Sequence, residues 1–448
     1  MYDQTGRPMG AADTGERIWA IAALVLAVLV LAVGWPLLLR SGTGLQLDYD
    51  EGWNAARAQS AAHWLPLYAA PPGLDITNYP PLSFHIIGLL SRLTGDATMT
   101  GRFLSLVALA ALVLLVRAIT RQFTAARHAG ACAALLFMLW MALWMPNRIG
   151  VNDPQLLGMV FEVLGLYAAV SGRKAWTSAP LFALALFTKH NLVAMPFGVG
   201  LSLLVDRRWR RLVAWLAAGA LAVMALYLAT LAADGPYFLV NLLQPRAYKL
   251  ADALSQSSTY LLIFLPFILL AGVWVYRNRH DARRRPLVWS WLAAHALAIF
   301  FSGGDGAARN MFFEAILLDA VIAVIAGCDY LARNPALTLG RALLLCLLPM
   351  LFPLSQLPGR MASGMAEWRQ LPQAQTAFVG GVDLLRGVPG PALCENLLMC
   401  ERAGKSSAFD PYYMLDQIRL GKIEAQDITV MAVTQRFGAV EIGSTDAP

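Results

Sequence analysis

The chain is short of charge. Of its 448 residues only 14% are Asp, Glu, Lys or Arg, where soluble domains carry roughly 25%. Together with 58% hydrophobic residues, that excludes an ordinary water-soluble globule. Lysine is scarce beside arginine, and alanine and leucine abound, which suits a bacterial membrane protein. Motifs for soluble cofactors are missing too. There is no P-loop, no glycine-rich dinucleotide turn after a strand, no HExxH and no GxSxG. A soluble nucleotide-sugar site is therefore unsupported. Internal repeats and low-complexity tracts are absent, and so are midplane charges of the kind secondary transporters carry. The net charge of +7 sits in short loops, where it sets membrane topology and gives no reason to expect nucleic acid as a partner.

What is present is a series of apolar runs from Ile18 to Phe352. Lengths near those needed to cross a bilayer define a polytopic α-helical membrane protein. The spans are read as Ile18–Leu39, Phe103–Ile119, Ala131–Met145, Gln155–Val170, Ala175–Phe187, Leu192–Val205, Leu212–Leu231, Ser258–Tyr276, Leu287–Phe301, Met311–Gly327 and Ala342–Phe352. The first lacks a signal-peptide cleavage site and is long enough to span. Leu82–Leu93 is too short and reads as a re-entrant or surface helix. With it left out, every second loop carries two or more basic residues, as at Arg207-Arg208 and Arg283-Arg284-Arg285. That alternation predicts about eleven spans, with the N-terminus cytoplasmic and the C-terminus outside. The expected domains are a cytoplasmic tail (1–17), a transmembrane domain (18–353) with a large first external loop (40–102), and a small mixed α/β extracytoplasmic domain (354–448). In the last, Ala377–Val382 and Ile428–Val433 read as strands and Pro411–Leu420 as a helix. Cys394 and Cys400 fall there and would be able to form a short-loop disulfide outside the cytoplasm. A metal pair fits them less well, with no His nearby.

The first external loop holds three carboxylates within four residues, Asp48, Asp50 and Glu51. Charges beside a hydrophobic span are costly to desolvate and mark a site more often than a structural need. The other unusual polar residues also fall at outer helix ends: Asp153, Lys189, His190 and Arg309. One carboxylate as base, with cations for an anionic group, suggests a lipid phosphate in the substrate. Plain readings stand beside these. Asp50 and Asp153 are good helix N-caps, the latter before Pro154. Lys189 and His190 fit as snorkelling interfacial residues, and Arg102 and Arg309 as topology or headgroup anchors. Tyr79-Pro80-Pro81 suits a stiff turn, and Asp48 a solvated position or a turn residue.

The order Asp50-Glu51-Gly52, Leu67-Tyr68, Tyr79-Pro80-Pro81-Leu82 and Gly101-Arg102-Phe103 resembles the first external loop of the GT-C membrane glycosyltransferases. That superfamily includes protein O-mannosyltransferases and the aminoarabinose transferase of lipid A. Asn152-Asp153-Pro154 is similar to its acidic second external loop, and Gly306–Glu314 to a segment common in bacterial members. The resemblance implies a bacterial inner-membrane enzyme that moves a sugar, with inversion, from a polyprenyl-phosphate donor to a lipid, glycan or protein acceptor. Asp50 would be the base, with Glu51 and Asp153 orienting the acceptor or a cation. Lys189, His190 and Arg309, with Tyr79 and Arg102, would meet the carrier phosphate. Aminoarabinose transferases tend to carry Lys where Tyr79 stands. No cofactor is called for; a divalent metal, if used, would sit on Asp50, Glu51 and Asp153. The rival reading is a transporter or flippase for a lipid-linked or envelope substrate. The polar C-terminal part is positioned to help bind the acceptor.

Overall fold

The computed structural model describes residues 11–442 apart from 71–72, 74, 173, 335–336, 339, 342–349, 406–409, 425, 428–429, 431–433 and 435–436. Most of the expected last span and most of the expected strand Ile428–Val433 lie outside the described residues, as do residues 1–10.

The bundle is helical throughout. Its elements are α1 (Ala11–Ser41), α2 (Glu51–Ala62), α3 (Leu82–Thr94), α4 (Ala97–Phe123), α5 (Ala129–Trp144), α6 (Gln155–Val170), α7 (Ala179–Thr188), α8 (Ala194–Val205), α9 (Trp209–Asp234), α10 (Phe238–Leu242), α11 (Leu250–Asn278), α12 (Arg285–Phe301) and α13 (Phe313–Arg333). Helices α1, α4, α9, α11 and α13 are long and apolar enough to cross a membrane, and α5, α6, α7, α8 and α12 are shorter apolar helices beside them. Their burial sorts them into layers. Helix α13 is mostly apolar and enclosed, with Ile316, Leu317, Val321 and Ile325 at zero exposure, as suits a bundle's central helix. Its mid-helix Asp319, a buried charge that the sequence reading passed over, accepts from Tyr260 and Trp291. Helix α9 turns Val213, Leu221 and Leu228 outward, as expected of a helix whose solvent is lipid.

The loop between α1 and α4 folds into two amphipathic helices. In α3, Phe84 and Ile87 are buried while Leu89 and Leu93 are exposed. Its 13 residues reach only about 20 Å, short of a bilayer core. Gly88 lets α3 touch the backbone of α2 at Ala58 and Ala62. The polar stretch after α9 is less loop-like than its composition suggests. It contains α10, and α11 begins at Leu250 rather than Ser258. There Ala253, Ser257 and Tyr260 bury one face, and Gln256 donates to Ser302 and Ala307 carbonyls.

Loops sort to two ends, as the alternation of basic residues predicts. At one end Arg285 and Arg208 hold Asp206, Arg284 holds Asp329 at 2.7 Å, and Arg283 reaches the Gln122 carbonyl. At the other, the loops around Asp50, Asp153, Lys189, Arg246 and Asp305 converge with the C-terminal part.

That part begins with helix Leu357–Gly387, which lies along α1: Gly364 rests on Pro36, and Arg40 meets Glu367 at 3.2 Å. The expected strand Ala377–Val382 is inside this helix. Phe378, Val382 and Leu385 are buried while Val379 and Leu384 are exposed, so the apolar period is helical and not the alternation of a strand. Strand β1 (Ala392–Cys394) pairs parallel with β2 (Ala439–Glu441), Leu393 opposite Val440. Cys394 is disulfide-bonded to Cys400 across the turn into helix Leu397–Arg402. Helix Pro411–Arg419 follows, capped by Asp410, whose carboxylate accepts from the Tyr412 and Tyr413 amides. Helix Leu397–Arg402 seats on α2. Leu398 N–H donates to Gln46 Oε1 at 2.9 Å, and Gly52 lies so close to the Leu397–Leu398 backbone that a Cβ there would overlap it. Gly52→Ala should therefore lower stability by about 1–3 kcal/mol, read as a lower unfolding temperature in detergent and faster proteolysis of the C-terminal part.

Candidate active site

Glu51 opens α2 with a fully buried side chain and faces Arg102 on α4, also buried. The pair is bidentate: Arg102 Nε donates to Glu51 Oε1 at 2.8 Å and Nη2 to Oε2 at 2.6 Å. The remaining capacity is used as well. Glu51 accepts from the Asn152 and Leu47 amides at 2.9 and 2.6 Å, and Arg102 donates to the carbonyls of Ser41, Thr43 and Leu45. The sequence places Glu51 with the substrate-orienting acids and Arg102 with the phosphate ligands. In the structure their polar atoms satisfy each other and the surrounding backbone.

Asp50 precedes this pair. It is 4% exposed, makes no cap bond to α2, and its Oδ1 has no hydrogen-bond partner. The N-cap reading of Asp50 therefore does not hold. Burial pushes its carboxyl well above the usual range, and the neighbouring Asp153 and Asp48 push it further. Both oxygens of Asp153 are engaged. One oxygen accepts from the Gln155 amide at 2.6 Å at the head of α6. The other faces Arg148 at 3.3 Å and Lys189 at 3.5 Å. Burial would raise Asp153, but those two cations outweigh it and hold it below the usual range.

Lys189 ends α7 and is buried, with its ammonium 3.8 Å from the centre of the Tyr79 ring. Burial works against its charge, yet Asp153, Tyr79 and Asp50 together raise it. His190 lies beside the same ring, 6.4 Å between centroids. Burial, then Arg246 and Lys189, push it down to about 3, so it is a neutral imidazole and not a phosphate-binding cation. Arg309 is exposed at the head of a 3-10 turn before α13, stacked 5.8 Å from Trp144. It does not line the cleft onto which Asp50 opens.

Several residues in this cluster escaped the sequence reading. Arg148 joins Asp48 and Asp153, both at 3.3 Å, so Asp48 belongs to the cluster and is not simply solvated, while its carbonyl accepts from the Glu51 amide in the turn expected there. Its carboxyl is raised by burial against the opposing pull of Arg148. Arg246 is exposed on the cleft and is the sole cation among the described residues that line it. The signals were weak. Arg148 lay in plain view two residues from Gly150 in the second outer loop, but nothing local ties it to residues a hundred positions earlier. Tyr412 and Asp410 reach the same cleft from the C-terminal part.

A divalent metal does not fit this donor set. Glu51 is consumed by Arg102, and Asp48 and Asp153 are held by Arg148 and Lys189. Among the described residues no three His, Cys, Asp or Glu side chains group as metal ligands.

Comparison with known proteins follows the same lines. Residues 77–259 match the profile of glycosyltransferase family 87. ArnT from Cupriavidus metallidurans in the apo state superposes with a TM-score of 0.56 at 15% identity, covering 92% of this chain and 91% of that one. The same protein bound to undecaprenyl phosphate gives 0.56, 15%, and 90% of each chain. The Archaeoglobus fulgidus oligosaccharyltransferase tethered with an acceptor peptide gives 0.50 at 12% identity, with 89% of this chain spanning 64% of that one. No curated protein matches the chain. The fold is that of the GT-C membrane glycosyltransferases its motifs resemble.

His190 yields a pH test. An unfolded His takes up a proton near pH 6.5, whereas the folded one does so only at about 3. Its contribution to stability is present above pH 6.5 and is lost as pH falls toward 3. Between those limits His190→Gln should lose less stability than the wild type, measured as the difference in unfolding temperature across a pH series.

Proposed function

We propose that this protein is a polyprenyl-phosphate-dependent glycosyltransferase. It works in a bacterial inner membrane, with the converged loops and the C-terminal part outside the cytoplasm. Asp50 is the base, Lys189 and Arg246 receive the carrier phosphate, and Asp153 with Arg148 holds Lys189 in place. The observation that carries the assignment of the base is the buried Asp50, which has one oxygen without a hydrogen-bond partner and is among the residues lining a cleft. The match to glycosyltransferase family 87 supports the reaction class. Undecaprenyl phosphate, bound by a protein of the same fold, supports the donor class.

The chemistry follows from the charges. An acceptor hydroxyl loses its proton to Asp50 as its oxygen attacks the anomeric carbon. The bond from that carbon to the phosphate oxygen breaks, and its electron pair leaves with the polyprenyl phosphate. Attack from the face opposite the leaving group inverts the centre. A carboxylate with a raised pKa is a stronger base once ionised. The like charges of Asp48 and Asp153 favour its taking the proton. Charge growing on the leaving phosphate is met by preoriented cations in a site of low polarity. No step needs a metal.

Asp50→Asn keeps size and hydrogen bonding and removes the base. It should cut sugar transfer by about 10²–10⁴-fold at unchanged folded amount. The assay is purified protein in lipid, a panel of labelled polyprenyl-phosphate sugars and a crude envelope extract as acceptor. Transfer that survives the substitution moves the base elsewhere, with Asp153 next in line.

A further inference from the structure

One wall of the Asp50 cleft comes from the C-terminal part. Helix Pro411–Arg419 contributes Tyr412, Tyr413 and Asp416, and its cap contributes Asp410. The helix is fixed there from three sides. Asp416 accepts from the Ala247 amide at 3.1 Å, and Arg419 bonds Asp305. The Tyr412 ring lies on Gly306, which has φ +78 and where a Cβ would collide with that ring. Tyr412 also lies 5.2 Å from Tyr49, with their planes 31° apart. Asp50 lies in the same cleft with its unpartnered oxygen.

The lining is aromatic and acidic. Tyr49, Trp53, Tyr79, Tyr412 and Tyr413 face the cleft, with Asp50, Asp305, Asp410 and Asp416 as the carboxylates. Aromatic faces accept the C–H face of a sugar ring, and carboxylates accept hydrogen bonds from hydroxyls and donate none. Asp305 is paired with Arg419 and Lys249, but a phosphate or carboxylate beside Asp410 and Asp416 is repelled. The donor's phosphate is therefore placed toward Arg246, the sole cation among the described residues that line the cleft, and the acidic wall is left to the other substrate.

Resting on the glycosyltransferase reading above, we propose that the acceptor is a neutral glycan, one of whose sugar rings lies on Tyr412 and Tyr49 with its hydroxyls donating to Asp410 and Asp416.

The test uses full-length protein in lipid with Tyr412→Leu, Tyr412→Phe and Asp416→Asn. Probes are a glycolipid with an uncharged oligosaccharide head, the same head bearing a phosphate monoester, and a serine/threonine peptide. Three quantities are read: acceptor KM, donor KM and donor hydrolysis without acceptor. Binding of the free neutral oligosaccharide is read separately, from tryptophan fluorescence. We expect the neutral head to be used best. In Tyr412→Leu its KM should rise about tenfold, with donor KM and hydrolysis unchanged, and Tyr412→Phe should restore it. Preference for the phosphorylated head or the peptide overturns the proposal, as does a rise in donor KM instead of acceptor KM. Binding of the neutral oligosaccharide that Tyr412→Leu loses supports the subsite even if no donor is turned over, an outcome that counts against the transferase reading alone. No binding to the wild type overturns the subsite.

Discussion

The Glu51–Arg102 pair is the contact on which the rest of this end of the bundle depends. It ties the head of α2, the first turns of α4, the carbonyls of residues 41–45 and the Asn152 amide into one buried knot. Burying two charges costs several kcal/mol per ion unless every polar atom is matched. Here the bidentate geometry and the backbone partners match them. The knot lies one residue from Asp50 and one from Asp153, so it fixes the backbone of both acids without using their side chains.

Around it the charges are unevenly balanced. Asp48, Asp50 and Asp153 share Arg148 and Lys189, and Asp50 is the acid without a direct ion pair. Asp153 is held in its charged form by its two cations, while burial and like charge raise Asp50 and, to a lesser degree, Asp48. The same uneven balance divides the cleft in the proposed reaction. The cationic side suits a leaving phosphate, and the acidic, aromatic side supplied by the C-terminal part suits an uncharged polyol.

A second acidic pair lies deeper. Glu162 on α6 and Glu314 on α13 accept the Met195 and Ala194 amides at the head of α8. These three helices follow directly on Asp153, Arg309 and Lys189–His190. Two carboxyl groups at one helix N-terminus join the segments that carry the site's polar residues, and the positive end of α8 favours them there. Glu314 thus ties α13 to the head of α8.

Hydropathy and loop charge determined most of the bundle. Apolar length fixes where helices cross, and basic loops fix which ends come together, so Asp50, Asp153, Lys189, His190 and Tyr79 were gathered correctly from sequence. The helix over Leu82–Thr94 and the pairing of Cys394 with Cys400 were legible for the same local reason. The strand expected at Ala377–Val382 was not, because a short apolar run carries both periods until its burial is known. Side-chain partners escaped altogether. Glu51 looked like a site acid and Arg102 a phosphate ligand until α2 and α4 were packed, and Arg148, Arg246 and Tyr412 had no motif. Periodicity and charge along the chain act locally and survive in the sequence. Which carboxylate is neutralised and which is left free depends on groups dozens to hundreds of residues apart, and only the packed helices bring those together.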